Sequence, residues 1–261
     1  MPAMLEFDDY LDVLYTAAER LSEHALDISD QPVPTCRDWN VRQLVAHTGM
    51  VHRWATGIIR GEINSRNATT ATDRFEVDGM LVDDPGGWLL AGAGDLAEAL
   101  EEAPDDLERF FFLNDAPPSK IAWARRQCHE TSIHAVDGLS ARLGQFPTAA
   151  ETEILAAVGT DGIDELLRGF ATREHEELRT TSAETVSVVF EATDVGRSWT
   201  LRLSDGPAVC DEGTTDQSPD ARLSGTAAQL YLGLWNRGTE IHQEGVDVLT
   251  FWRERLRIEW N

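Results

Sequence analysis

The chain has 261 residues, 42% of them hydrophobic and 26% charged, so it is a globular protein that can build its core without staples. Its length predicts two domains. A formal charge of −24 repels phosphate backbones and anionic head groups, which excludes nonspecific nucleic-acid or membrane-surface binding as an expected role.

The opening MPAMLEFDDYLDVLY has no basic stretch followed by an apolar run, so neither secretion nor a membrane span is expected. Tyr10, Leu14, Ala17, Ala18 and Leu21 recur at helical spacing and predict a first helix over about 6–25. Pro32 and Pro34 then exclude helix. A second helix is expected from Asp38 or Asn40 as N-cap to a stop near Gly61, with Val41, Leu44, Thr48, Val51, Ala55 and Ile58 on its inner face. Residues 62–94 are polar and rich in turn formers and read as a long loop shaping a pocket. A third helix is expected over about 95–114, kinked or divided at Pro104, and a fourth over about 119–143, closed by Gly144.

Two further helical segments, about 151–158 and 163–178, read as connectors. After Thr180 the period changes to two. TVSVVFEAT and SWTLRLS predict paired strands around a turn at 194–197. ARLSGTAAQLYLGLWNRG reads as a strand entering a helix that closes near Gly238, and VLTFWRERLRIEW as an amphipathic end. No repeat, low-complexity tract or phosphate-binding loop occurs. Cys36, Cys128 and Cys210 are odd in number and widely spaced, which fits a reducing cytoplasm and neither a disulfide framework nor a cysteine zinc site.

Within HETSIHAVD, Glu130 and His134 are four residues apart and leave the same helix face. His47 lies between Leu44 and Val51 and places an imidazole on the apolar face of the second helix. Two histidines and one glutamate form a familiar set for catalytic zinc, with a further position open to water or substrate. Asp137, three residues beyond His134, is placed to accept its other ring N–H. The bland readings are a satisfied core histidine at His47 and surface electrostatics for the Glu130 and His134 pair. His52 and His129 point elsewhere around their helices, Trp39, Trp54 and Trp123 read as packing residues, and Cys128 as a small core hydrophobe.

VPTCRDWNVRQLVAHTGMVHRWA and ARRQCHETSIHAVDGLSA resemble the two signature segments of the mycothiol-dependent maleylpyruvate isomerase family, part of a wider DinB-like group of metal-binding bundles. The resemblance implies an α+β protein. Its N-terminal DinB-like four-helix bundle, with connector helices, takes 1–178, and a smaller C-terminal α/β, sterol-carrier-like domain takes 179–261. It implies zinc or another divalent metal on His47, Glu130 and His134, and mycothiol as thiol cofactor. LGLWNRG matches the family's LWxR helix end, so Arg237 is the corresponding arginine. Its fork suits the carboxylates of substrate or cofactor, a catalytic and cofactor-binding role, against the alternative of a structural ion pair.

The implied reaction is isomerisation: thiolate adds to the cis double bond of maleylpyruvate, rotation follows, and elimination returns the thiol. Two rivals stand beside it. One is a mycothiol S-transferase acting on a small-molecule electrophile, and the other a non-catalytic small-molecule-binding protein. The expected assembly is a monomer or homodimer.

Overall fold

The computed structural model describes residues 5–64, 66–174, 178–180, 184–214 and 218–256. Contacts divide it into two compact units, the first of residues 5–112 and 116–147, the second of residue 148 onwards together with 113–115.

In the first unit, α1 (Phe7–Ala25) starts where the Glu6 amide donates to Asp9 at 3.1 Å, and it buries the expected face of Tyr10, Leu14, Ala17, Ala18 and Leu21. The proline segment forms a short antiparallel hairpin, β1 (Pro32–Val33) and β2 (Cys36–Asn40). α2 (Val41–Arg60) begins on a reciprocal cap. The Asn40 side chain accepts from the Gln43 amide and the Gln43 side chain accepts from the Asn40 amide, each at 2.9 Å. It ends at Gly61, whose φ of 78° is the left-handed cap conformation that glycine adopts at little cost.

The expected loop over 62–94 is instead largely helical. α3 (Ala68–Leu81) has only Gly79 buried, so no apolar period marks it. α4 (Pro85–Glu102) starts ten residues ahead of the expected third helix, because Asp84 caps it, accepting from the Gly87 amide, and Pro85 occupies its first turn. Gly49 and Gly79 both abut the Trp88 ring, and a Cβ at either would run into it, so these glycines let α2 and α3 close on α4. Pro104 terminates α4 rather than kinking it, and 103–118 is non-helical. α5 (Ser119–Leu143) has the expected bounds, with Gly144 at φ 69°.

α1, α2, α4 and α5 form the bundle: α1 packs on α5 and α4, and α2 packs on α4, α3 and α5. Their core centres on Tyr10, Leu14, Val51, Leu96, Trp123 and Cys128, all buried. α2 is buried on almost every side because neighbours cover more than its apolar stripe.

In the second unit, α6 (Ala149–Thr152) and α7 (Ala156–Asp164) lead into a π-helical turn at Glu165–Phe170. The expected connector reading fails here, and with it the boundary at 178/179, because Ile163, Leu166, Leu167 and Phe170 are core residues of this unit. Regular structure ends at Phe170, short of the expected 178, and residues 175–177 lie outside the described ones. β3 (Val186–Ala192) and β4 (Arg197–Leu203) form the expected hairpin, with Phe190 opposite Trp199. β5 (Val209–Glu212), β6 (Ala221–Gly225) and β7 (His242–Gly245) complete a sheet of order β5-β4-β3-β6-β7 in which only β3 and β6 run parallel.

β6 enters α8 (Ala227–Leu234) as expected, and α9 (Val248–Arg255) seats Trp252, whose indole donates to the Leu234 carbonyl at 2.8 Å. The remainder of the amphipathic end, from 257, lies outside the described residues. A helical unit followed by a mixed sheet with helices is the α+β fold the sequence implied. No helix among the described residues is long and apolar enough to cross a membrane.

Candidate metal centre

α2 supplies His47 and α5 supplies Glu130 and His134, all three buried within the helical unit. Nε2 of His134 lies 3.1 Å from Oε1 of Glu130, and Nε2 of His47 lies 3.5 Å from the same oxygen. One donor atom from each residue falls within 4.8 Å of the others, and no other such group of three occurs among the described residues. Ligands about 2 Å from a tetrahedral zinc stand roughly 3.3 Å from one another, so the spacing and the donor types suit such an ion.

Asp137 is fully buried, and its Oδ2 is 3.0 Å from Nδ1 of His134. The carboxylate accepts, so Nδ1 carries a proton, and Nε2, which donates to Oε1 of Glu130, is the nitrogen that would offer its lone pair to a cation once its own proton leaves. Asp137 is itself held by the hairpin, accepting from the Thr35 hydroxyl at 2.6 Å and from the Cys36 thiol at 3.3 Å. On the other side, Nη2 of Arg126 donates to Oε2 of Glu130 at 2.9 Å. Sequence reasoning passed over Arg126, although its place four residues before Glu130 put it on the same stripe of α5. Trp39, expected as a packing residue, packs on the site itself: its ring centroid is 4.6 Å from that of His47 and 5.9 Å from that of His134.

The electrostatics follow from burial and these contacts. For Glu130, burial favours the neutral acid, yet the hydrogen bonds from His134 and His47 and the Arg126 charge hold it well below the usual carboxylate range. Burial likewise opposes charge on His134, but Asp137 and Glu130 outweigh it and push its pKa up to about 9. His47 is lowered, by burial first, with the Glu130 contact only partly offsetting it. A cation therefore competes with a proton for this anionic pocket.

The other candidates fall elsewhere. His52 lies against the Thr131 hydroxyl at 2.9 Å and is pushed down to about 3 by burial. His129 and Cys128 are buried, Cys128 within the apolar core. Arg237 belongs to the second unit, where its guanidinium donates to the Trp235 carbonyl at 2.9 Å.

Residues 9–137 match the family model described as the mycothiol maleylpyruvate isomerase N-terminal domain, and residues 157–250 match that of the C-terminal domain of the same proteins. The chain belongs to the mycothiol maleylpyruvate isomerase family. The first matched segment contains His47, Glu130 and His134 and ends on Asp137.

Among solved structures, a mycothiol-dependent maleylpyruvate isomerase aligns over 92% of this chain and 93% of its own, with a TM-score of 0.58 and 14% identity. A histidine-to-alanine mutant of a mycothiol-dependent maleylpyruvate isomerase aligns over the same shares with a TM-score of 0.60 and 14% identity. At that identity the likeness is one of fold, and the maleylpyruvate isomerase fold extends across both units. A search of curated protein sequences gives no match.

Proposed function

We propose that this member of the maleylpyruvate isomerase family is a zinc-dependent enzyme that uses mycothiol to isomerise maleylpyruvate or a related unsaturated acid. The observation that carries the reading is the convergence of two imidazoles and one carboxylate, all buried, within 4.8 Å. His47, Glu130 and His134 would hold zinc, which would supply a Lewis acid able to lower the pKa of a thiol toward neutrality.

The chain's own residues then have distinct tasks. Glu130 brings the single negative charge of the donor set, and Asp137 fixes the tautomer of His134. The hairpin holds Asp137 in place through Thr35 and Cys36. Trp39 packs against the two imidazoles and helps to fix their orientation. Arg237 is the proposed anchor for a carboxylate of substrate or cofactor, since a guanidinium fork matches a carboxylate in two hydrogen bonds. Arg237→Lys should therefore raise KM more than it lowers kcat. The three free cysteines suit a reducing cytoplasm as the compartment.

The test begins with elemental analysis of protein purified without added metal. About one zinc per chain, lost in His47→Ala, supports the reading; a content far below that and unchanged by the substitution sinks it. Zinc-loaded protein is then given mycothiol and maleylpyruvate. Regeneration of the thiol marks isomerisation, whereas its consumption marks S-transfer to an electrophile. Biological activity that survives loss of the metal leaves only a non-catalytic binding role.

A further inference from the structure

α5 carries a buried polar stripe at Arg126, Glu130, His134 and Asp137, spaced so that each side chain stands one turn from the next. Side chains on a helix lean toward its N-terminus, so the Glu130 carboxylate leans over the turn that bears Arg126. Arg126 is 2% exposed, and a guanidinium so far from solvent needs an anionic partner. Its Nη2 engages Oε2 of Glu130 at 2.9 Å, while Oε1 of the same carboxylate faces His134 and His47 at 3.1 and 3.5 Å. The two oxygens thus face different groups.

We propose that Arg126 is a positioning residue: by engaging Oε2 it makes Glu130 present one oxygen, Oε1, to the ion held with His47 and His134. The donor set is then fixed at two nitrogens and one oxygen, and the rest of the coordination sphere stays open to thiol or water. This rests on the metal-centre reading given above. The physical reason is that a carboxylate binds a cation through either one or both oxygens. A charge-assisted hydrogen bond in a low-dielectric interior opposes the rotation that brings the second oxygen in. Arginine suits the task better than lysine because it is always charged and more weakly hydrated, so burial strips less water from it.

Cobalt substitution of the full chain tests this without an activity assay. Four-coordinate cobalt absorbs strongly in the visible, and a fifth ligand weakens those bands. The wild-type chain should take up about one cobalt and show strong four-coordinate bands. In Arg126→Met, Oε2 loses this donor, so the bands should weaken as the second oxygen binds, and metal affinity should fall by about 10- to 100-fold, the usual effect of removing an outer hydrogen-bond partner.

Should Arg126→Met not fold, judged by circular dichroism, Arg126→Lys decides. Its shorter, more hydrated ammonium should give about a tenfold loss of affinity and partly weakened bands. Wild-type affinity and spectrum in the folded variant overturn the role of Arg126 while leaving the metal centre standing. Weak bands in the wild type also overturn it. Failure of the wild type to bind cobalt or zinc overturns the metal centre itself and this inference with it.

Discussion

Asp137 has no exposed surface, yet three donors converge on it: the Thr35 hydroxyl, the Cys36 thiol and Nδ1 of His134. Those donors satisfy the buried carboxylate, and in return it keeps the proton of His134 on Nδ1 when the ring is neutral. Asp137→Asn puts an N–H group where one acceptor oxygen was, so zinc affinity should fall by about 10- to 100-fold in a competition titration with a chromophoric chelator. Unchanged affinity would remove Asp137 from the account. His52 gives a separate prediction about pH. Burial, aided by the Arg53 charge, lowers its pKa from 6.5 to about 3, so it is neutral in the folded chain, whereas in the unfolded chain it takes up a proton below 6.5. Its contribution to stability is complete above pH 6.5 and is lost as the pH falls from there toward 3, at up to about 1.4 kcal/mol per pH unit. Denaturant titrations at pH 7 and pH 5 should show the loss, and His52→Gln should flatten it.

Among the elements, helix ends are the most local features and the most readable. Asn40, Gly61 and Gly144 stand where the sequence put them, because a cap is decided by a few neighbouring residues. Asn40→Ala removes the bond to the Gln43 amide and should cost about 1 kcal/mol, read as a lower thermal midpoint. Residues 84–87, Asp-Pro-Gly-Gly, have the composition of a turn and the chemistry of a helix start, and the second wins because Leu89, Ala93 and Leu96 have a core to enter. α3 was illegible for the opposite reason: with only Gly79 buried it carries no apolar period. In the second unit α7 and α8 approach so closely that a Cβ on Gly159 would lie 2.9 Å from the Ala227 carbonyl oxygen. Backbone cannot swing aside as a side chain does, so Gly159→Ala should cost about 1 to 3 kcal/mol in denaturant melts.

At the scale of the whole molecule, the candidate site is built across the bundle: α2 brings one of its donor side chains and α5 two. Binding of an ion to the folded chain alone should raise stability, by about 4 kcal/mol at a free concentration a thousand times Kd. Calorimetry should therefore show a higher midpoint with zinc, reversed by a chelator and absent in His47→Ala. A shift of equal size in that variant would place the bound ion elsewhere.

What the sequence by itself determined was local or periodic: helix ends and inner faces, the strand pair β3 and β4, and the sharing of one face of α5 by Glu130 and His134. These follow from backbone chemistry and from turns of 3.6 or 2 residues, which a reader of residues can count. The family resemblance already joined His47 to that pair, and the tertiary structure supplied the distances; it alone decided that Arg126 and Trp39 belong to the site and that α6 and α7 join the C-terminal core. Those outcomes depend on which buried surfaces pack together across long stretches of chain, and a buried charge such as Arg126 is explained only once its partner is in place.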